Sequence, residues 1–317
     1  MGSSDSTPVY AYALLGIALF AVSSAGAVLQ QMGEVPPLLR ASWRMQGTSL
    51  VLLPGFVYQW YRMERSTLTK DDWLLMLASS AFLALHFGSW IWSLDNTSLV
   101  HSLLFVTSHP LVVVALMPIL GTVARKGHVT GALVGFVGAA ITLGDVSGSD
   151  GVTLWGDIAA FFGAVTVVGY LFIGRHLRSK RSIPVFVYAF PVTLLAGIML
   201  AASSIGIEGT SLTGSVAESS LLGWSEVAWI PWVAYLSLGP GLCGHTGINT
   251  ILRWIPPIIV SITLLFEPVI GGLIGWLWTG ELTLGIWTAV GGPLMLSGAI
   301  MVTLEEGRNE RDPEVHS

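Results

Sequence analysis

The chain has 317 residues, 53% of them hydrophobic and 10% charged, with 14 Lys+Arg, 19 Asp+Glu and a formal net charge of −5. Soluble domains carry about 25% charged residues, so this composition excludes a soluble enzyme, a disordered chain and a nucleic-acid-binding module. Uncharged runs reach the ~20 apolar residues that cross a bilayer, and the chain reads as an all-α polytopic membrane protein whose surroundings are lipid.

The residues before the first apolar run, Met1 to Pro8, contain no basic residue, so that run is expected to stay as a span rather than be cleaved. Apolar runs and polar punctuation predict ten transmembrane helices, at 10–30, 38–61, 72–93, 98–120, 130–146, 154–176, 183–207, 228–250, 256–278 and 284–304. Helix is forced, because an unsatisfied amide in hydrocarbon costs several kcal/mol. The connectors are too short for a soluble domain. Trp60 and Trp73 near one interface, and Trp224, Trp229, Trp232, Trp276 and Trp287 near the other, read as belt residues. The one cysteine, Cys243, excludes an internal disulfide and any thiolate metal site.

Alternate connectors collect the basic residues: Arg62, Arg65 and Lys70; Arg125 and Lys126; Arg175, Arg178, Lys180 and Arg181; Arg253; then Arg308 and Arg311. Of the 14, only Arg40 and Arg44 fall toward the other side. The positive-inside rule then makes both termini cytosolic. The opposite connectors are acidic and rich in Gly and Ser, as in 145–150 and 208–215.

The two halves also match. Residues 93–110 lie ungapped over 251–268, pairing Pro110 with Pro268, each preceded by a protonatable residue, His109 or Glu267. Downstream, Gly131 and Gly138 correspond to Gly291 and Gly298. The chain therefore divides into a tail 1–9, a five-helix repeat 10–150, a second repeat 151–304 and a tail 305–317. Five helices is an odd number, so the second repeat inserts upside down. Such inverted repeats are a signature of transporters, which exchange the conformations of their halves.

Pro36-Pro37-Leu38-Leu39-Arg40 at the start of helix 2, Phe266-Glu267-Pro268 in helix 9, and Trp278-Thr279-Gly280-Glu281-Leu282-Thr283 before a Gly-rich last helix carry a resemblance. Together with the paired repeat, they resemble the drug/metabolite transporter superfamily and its EamA-like family, over nearly the whole chain. The first half diverges: Ser108-His109-Pro110 stands where Ser-Pro is usual, and Ala124-Arg125-Lys126 replaces the usual Gly-Glu turn. The resemblance implies ten helices in two inverted repeats around a central cavity, with no cofactor, and leaves the substrate open among amino acids, amines, nucleotide sugars and sugar phosphates.

Seven residues are candidates for binding substrate or a coupled proton. Glu267 is costly at a helix centre and should face the interior; it either couples protons or a substrate cation, or caps groups freed by Pro268. Gly271 and Gly275, on the same face, read as helix packing. His101 and His109 share helix 4, and His86 and Trp90 lie at i, i+4 on helix 3; imidazoles can relay protons or simply bridge helices. Arg40 is expected to snorkel to the outer interface. Arg44, one turn deeper, needs an anion, either Asp95, Glu34 or a substrate carboxylate. Asn249 and His245 share a face of helix 8. The site is expected near the midplane between helices 3, 4, 8 and 9. No metal site is expected, since converging ligands are not visible in the sequence.

These observations point to a secondary transporter of a small metabolite, amino acid or amine, rather than an enzyme. An intramembrane enzyme, a passive channel or structural membrane protein and, within transporters, a nucleotide-sugar or sugar-phosphate exchanger are the alternatives. The orientation is testable. On a Cys243→Ala background displayed at the plasma membrane, Ser149→Cys should react with an impermeant thiol reagent in intact cells; labelling only after lysis would reverse the topology.

Overall fold

The structure, a computed structural model, describes residues 9–63, 68–118, 124–147, 151–251, 263–280 and 284–311. Arg65, Ser149, Arg253, Glu281, Leu282 and Thr283 lie outside the described residues. Helix occupies the described part of every predicted span: α1 (Val9–Gln31), α2 (Pro37–Arg62), α3 (Lys70–Leu94), α4 (Leu99–Val106), α5 (His109–Leu116), α6 (Lys126–Thr142), α7 (Leu154–Arg175), α8 (Val185–Ser203), α9 (Ile230–Leu236), α10 (Gly247–Ile251), α11 (Glu267–Thr279) and α12 (Ile286–Arg311). Among the described residues no strand forms; Ser211 and Ser220 make an isolated bridge.

Among the described residues, 7 helical segments are long and apolar enough to cross a membrane, one of them α4 and α5 taken together. α2 falls short because Arg40, Arg44 and Gln46 dilute its apolar character, and α11 because it has 13 residues.

The predicted single helix at 98–120 is two. α4 ends at Val106 and α5 starts at His109, with Pro110 as its second residue. Proline has no N–H to donate to the preceding turn and suits a first helical turn. Side chains add to the backbone bonds at the break: Thr107 Oγ1 donates to Leu103 O at 2.8 Å and Ser108 Oγ to Phe105 O at 2.6 Å, carbonyls that also accept from Thr107 N and Ser108 N. α11 begins alike, with Glu267 first, Pro268 second and a turn at Leu265 and Phe266 before it. The prolines that match in sequence thus occupy matching places.

Between α9 and α10, Ser237–Thr246 winds as a wider π-helix through Pro240. Its turns leave longer-range bonds, such as Thr246 Oγ1 to Gly241 O at 3.1 Å. Wide turns of this kind recur at functional sites, and this one lies on the cavity described below.

Packing follows small residues. α6 and α12 make the most extensive helix pair. A Cβ at Gly131 would lie 2.8 Å from Gly298 O, and one at Gly138 would lie 2.6 Å from Gly291 O. The glycines that correspond between the halves therefore press their backbones together. Gly271 of α11 approaches Ser23 O of α1 similarly, at 2.8 Å for a Cβ.

The ends are tied by polar contacts. Glu208 accepts from Leu38 N at 2.8 Å and Leu39 N at 3.0 Å, capping α2, whose Pro36-Pro37 start removes other donors. On the basic side, Thr69 and Asp72 form a capping box on α3. Arg181 grips Asp72 through Nε and Nη2, both at 2.9 Å, and this raises the guanidinium's pKa above its ordinary value. Two of the belt tryptophans serve a second purpose. Trp224 Nε1 donates to Gln46 Oε1 at 2.8 Å and Trp229 Nε1 to Glu218 Oε1 at 3.0 Å, laying the segment before α9 over α2.

Gly138→Ala should force the α6–α12 backbones apart and lower stability by about 1–3 kcal/mol, the usual cost of overpacking. Gly16→Ala, where a Cβ meets nothing within 4 Å, should be neutral. Unfolding in mixed micelles reads both; equal stabilities would show that the seam tolerates a methyl group.

Candidate functional site

Arg44 is set by α2 into the interior, where it is 1% exposed. Its guanidinium lies 4.2 Å from the ring centre of Phe87 and 5.7 Å from that of Trp90, both on α3. Such stacking offsets part of the cost of burying a cation. Nε and Nη1 are buried with no hydrogen-bond partner, and Arg44 makes no ion pair among the described residues. The Trp90 indole N–H is likewise buried without an acceptor.

The guanidinium faces a cavity of about 30 Å³, walled by Arg44 and Thr48 of α2, Phe87 of α3, Tyr170 of α7, His245 of the wide turn and Asn249 of α10. That volume holds water but no metabolite. Asn249 bonds the Tyr170 phenol, and His245 meets Phe87 edge-on at 5.6 Å. His86 Nδ1 lies 2.9 Å from Gly163 O, to which it donates, while its ring stacks on Trp90 at 6.2 Å.

The predicted residues therefore divide. Arg44 and Asn249 line the cavity, while Trp90 flanks the Arg44 guanidinium and His86 stacks behind Trp90, both off the cavity wall. Glu267, half-buried as the first residue of α11, acts on Arg44 electrostatically without forming an ion pair. His109, half-buried as the first residue of α5, is not on the cavity wall. His101 is elsewhere, with Nδ1 3.0 Å from Asp157 Oδ2 and Nε2 2.6 Å from Thr288 Oγ1.

Arg40 departs from expectation. It is fully buried, paired with Asp95 and donating to Leu29 O at 2.6 Å, and does not snorkel. Asp95 is thereby taken, which leaves Arg44 without it. The cavity is also displaced from the predicted place between helices 3, 4, 8 and 9, because the predicted helices 2, 6 and 7 contribute Arg44, Tyr170 and Thr193. Tyr170 and Phe87 were not singled out from sequence. Tyr170 had a signal, since a phenol in an apolar run needs a hydrogen-bond partner; Phe87 had none.

The chain is an all-helical, multi-pass membrane protein with a buried cation facing a cavity between its helices. Residues 9–144 match the model of the EamA-like transporter family, consistent with the drug/metabolite transporter superfamily. That family consists of membrane transporters of small molecules. No curated protein matches the chain by sequence. Among 17 matching chains of solved structures, a crystal structure of a protein 21% identical to this chain has a TM-score of 0.61, covering 95% of this chain and 99% of its own. That likeness is one of fold.

A buried charge lacking its full set of bonds costs the folded protein. Arg44→Met should leave the substrate-free protein as stable, or stabilise it by roughly 1–4 kcal/mol. A loss of several kcal/mol on chemical unfolding would mean that the guanidinium has a structural partner.

Proposed function

We propose that the chain is a secondary transporter built from two inverted five-helix repeats, 10–150 and 151–304, with both termini cytosolic, carrying a small amino-acid-like metabolite by alternating access at the Arg44 cavity. The observation that carries this reading is the buried guanidinium with two unbonded nitrogens facing a cavity between helices. Its free donors suit a carboxylate, which a fork of N–H groups can bind in two places. Phe87 and Trp90 form an apolar wall for a side chain. Glu267, coupled to Arg44 through the field, supplies the opposite charge, for the ammonium group or for a coupled proton.

A simple amine would meet Arg44 as a like charge, so a zwitterion fits better. A sugar phosphate or nucleotide sugar would bring at least two negative charges to one guanidinium, with no lysine in the spans. An intramembrane enzyme would need converging catalytic groups, whereas His86 bonds a backbone carbonyl and His101 lies in a separate cluster. A cavity this small corresponds to a closed state, and admission of substrate requires helices to move. The paired breaks before Pro110 and Pro268 are the natural hinges.

Purified protein should gain thermal stability with particular amino acids and show saturable counterflow of the same compounds in proteoliposomes; a channel would give flux without counterflow. Arg44→Gln should abolish both responses. Glu267→Gln should insert and fold, but lose the pH dependence of transport or its affinity for the ammonium group. Wild-type affinity and pH profile in Glu267→Gln would reduce that carboxyl to a cap beside Pro268.

A further inference from the structure

We propose that the polar cluster joining α4, α7, α12 and the turn after α6 is a proton-binding clasp, holding one proton more than a neutral His101 and two carboxylates supply, and releasing it when these helix ends separate. The cluster is dry and complete. His101, Asp145, Asp157 and Thr288 are each no more than 2% exposed.

His101 on α4 places Nδ1 3.0 and 3.2 Å from the two Asp157 oxygens, and Thr97 donates to the same carboxylate at 2.7 Å. On the other side of the ring, Nε2 lies 2.6 Å from Thr288 Oγ1 and 3.7 Å from Asp145 Oδ2. The same Thr288 oxygen lies 2.6 Å from Asp145 Oδ2. Asp145 also accepts from the backbone N–H groups of Trp287 at 3.2 Å and Thr288 at 2.8 Å, capping α12.

Counting hydrogens leads to the proposal. A hydroxyl has one proton and can donate once. With a neutral ring protonated at Nδ1, Nε2 and the Asp145 oxygen are both acceptors. Thr288 then satisfies one and faces the other, at 2.6 Å, lone pair to lone pair. With the ring protonated at Nε2 instead, the bare Nδ1 faces the Asp157 carboxylate. One further proton removes the conflict: an imidazolium donates to Asp157 and to Thr288, and Thr288 donates to Asp145. A proton on Asp145 reaches the same count, running through Thr288 to Nε2.

The charged groups facing the ring are Asp157 from α7 and Asp145 from the turn after α6; α12 presents Thr288 and α4 itself Phe105, neither charged. An extra proton lowers the cluster's net charge from −2 to −1 in a medium where unpaired charge is costly. Because the closed clasp binds that proton and separated ends do not need it, closure is favoured at low pH and weakened as pH rises. By the charge map this is the non-cytosolic end, so under the transporter reading proposed above the clasp is an outer gate whose opening releases a proton to that side. The proton count itself does not depend on that reading.

The experiment uses the full chain in lipid nanodiscs. At pH 6, nitrogen NMR of histidine-labelled protein, with the His101 signals identified by their loss in His101→Gln, and infrared spectra compared with Asp145→Asn, should find either both His101 nitrogens protonated or one protonated carboxyl. A singly protonated ring with two ionised carboxylates would overturn the clasp. Hydrogen exchange at the Trp287 and Thr288 amides, corrected for intrinsic rates, should lose protection by about tenfold or more between pH 6 and pH 8.5 in the wild type. Flat protection over that range would overturn the coupling even if His101→Gln fails to fold. A null result in the amino-acid assays would leave both measurements standing, which separates failure of the clasp from failure of the transport reading.

Discussion

The rest of the molecule has to accommodate two buried guanidiniums one turn apart on α2. Arginine cannot shed its charge in a protein, so each must be met by something. Arg40 is met fully, by Asp95 and the end of α1. Arg44 is met in part, by two aromatic faces and the distant field of Glu267. The asymmetry separates a structural cation from one with unused capacity, although they sit only one turn apart. The same helix is capped by Glu208 and held by Trp224, so α2 is anchored near its start by the segments that follow α8.

The elements around this helix are of two mechanical kinds. α6 and α12 meet closely through glycines, with backbone against backbone at Gly131–Gly298 and Gly138–Gly291. By contrast, α4–α5 and α11 start or restart at prolines, and the segment before α10 is wound wide, so these strips carry fewer regular hydrogen bonds. The cavity adjoins the wide turn, where backbone groups can rearrange most readily.

Much of the fold was legible because hydrocarbon imposes a simple rule on sequence. Apolar runs had to be helical, and α1, α2 and α3 fall close to their expected bounds. The break at Thr107 and Ser108 was visible only as a proline, since one missing N–H marks a place without saying whether a helix kinks or stops there. The candidate site was half legible. Arg44, His86, Trp90 and Asn249 were identifiable because polar groups are expensive in a membrane and stand out against apolar neighbours. His101 was identifiable for the same reason but belongs to a different cluster, because Asp145, Asp157 and Thr288 come from distant parts of the chain and no spacing rule joins them. Arg40, expected to snorkel, takes the Asp95 carboxylate that was a candidate partner for Arg44, since which of two neighbouring arginines reaches Asp95 depends on the rotation of α2.

The glycine seam between α6 and α12 has an electrical consequence. Where two backbones touch, neither a chain of water nor a mobile side chain fits between them, so protons have no wire along that line. A membrane protein that opens to one side and then the other must keep its remaining interfaces insulating throughout, or the ion gradients around it drain. Under the transporter reading proposed above, that insulation falls to the glycine contacts of α6 and α12. In that reading, the helices beside it rearrange while the seam itself holds the membrane potential.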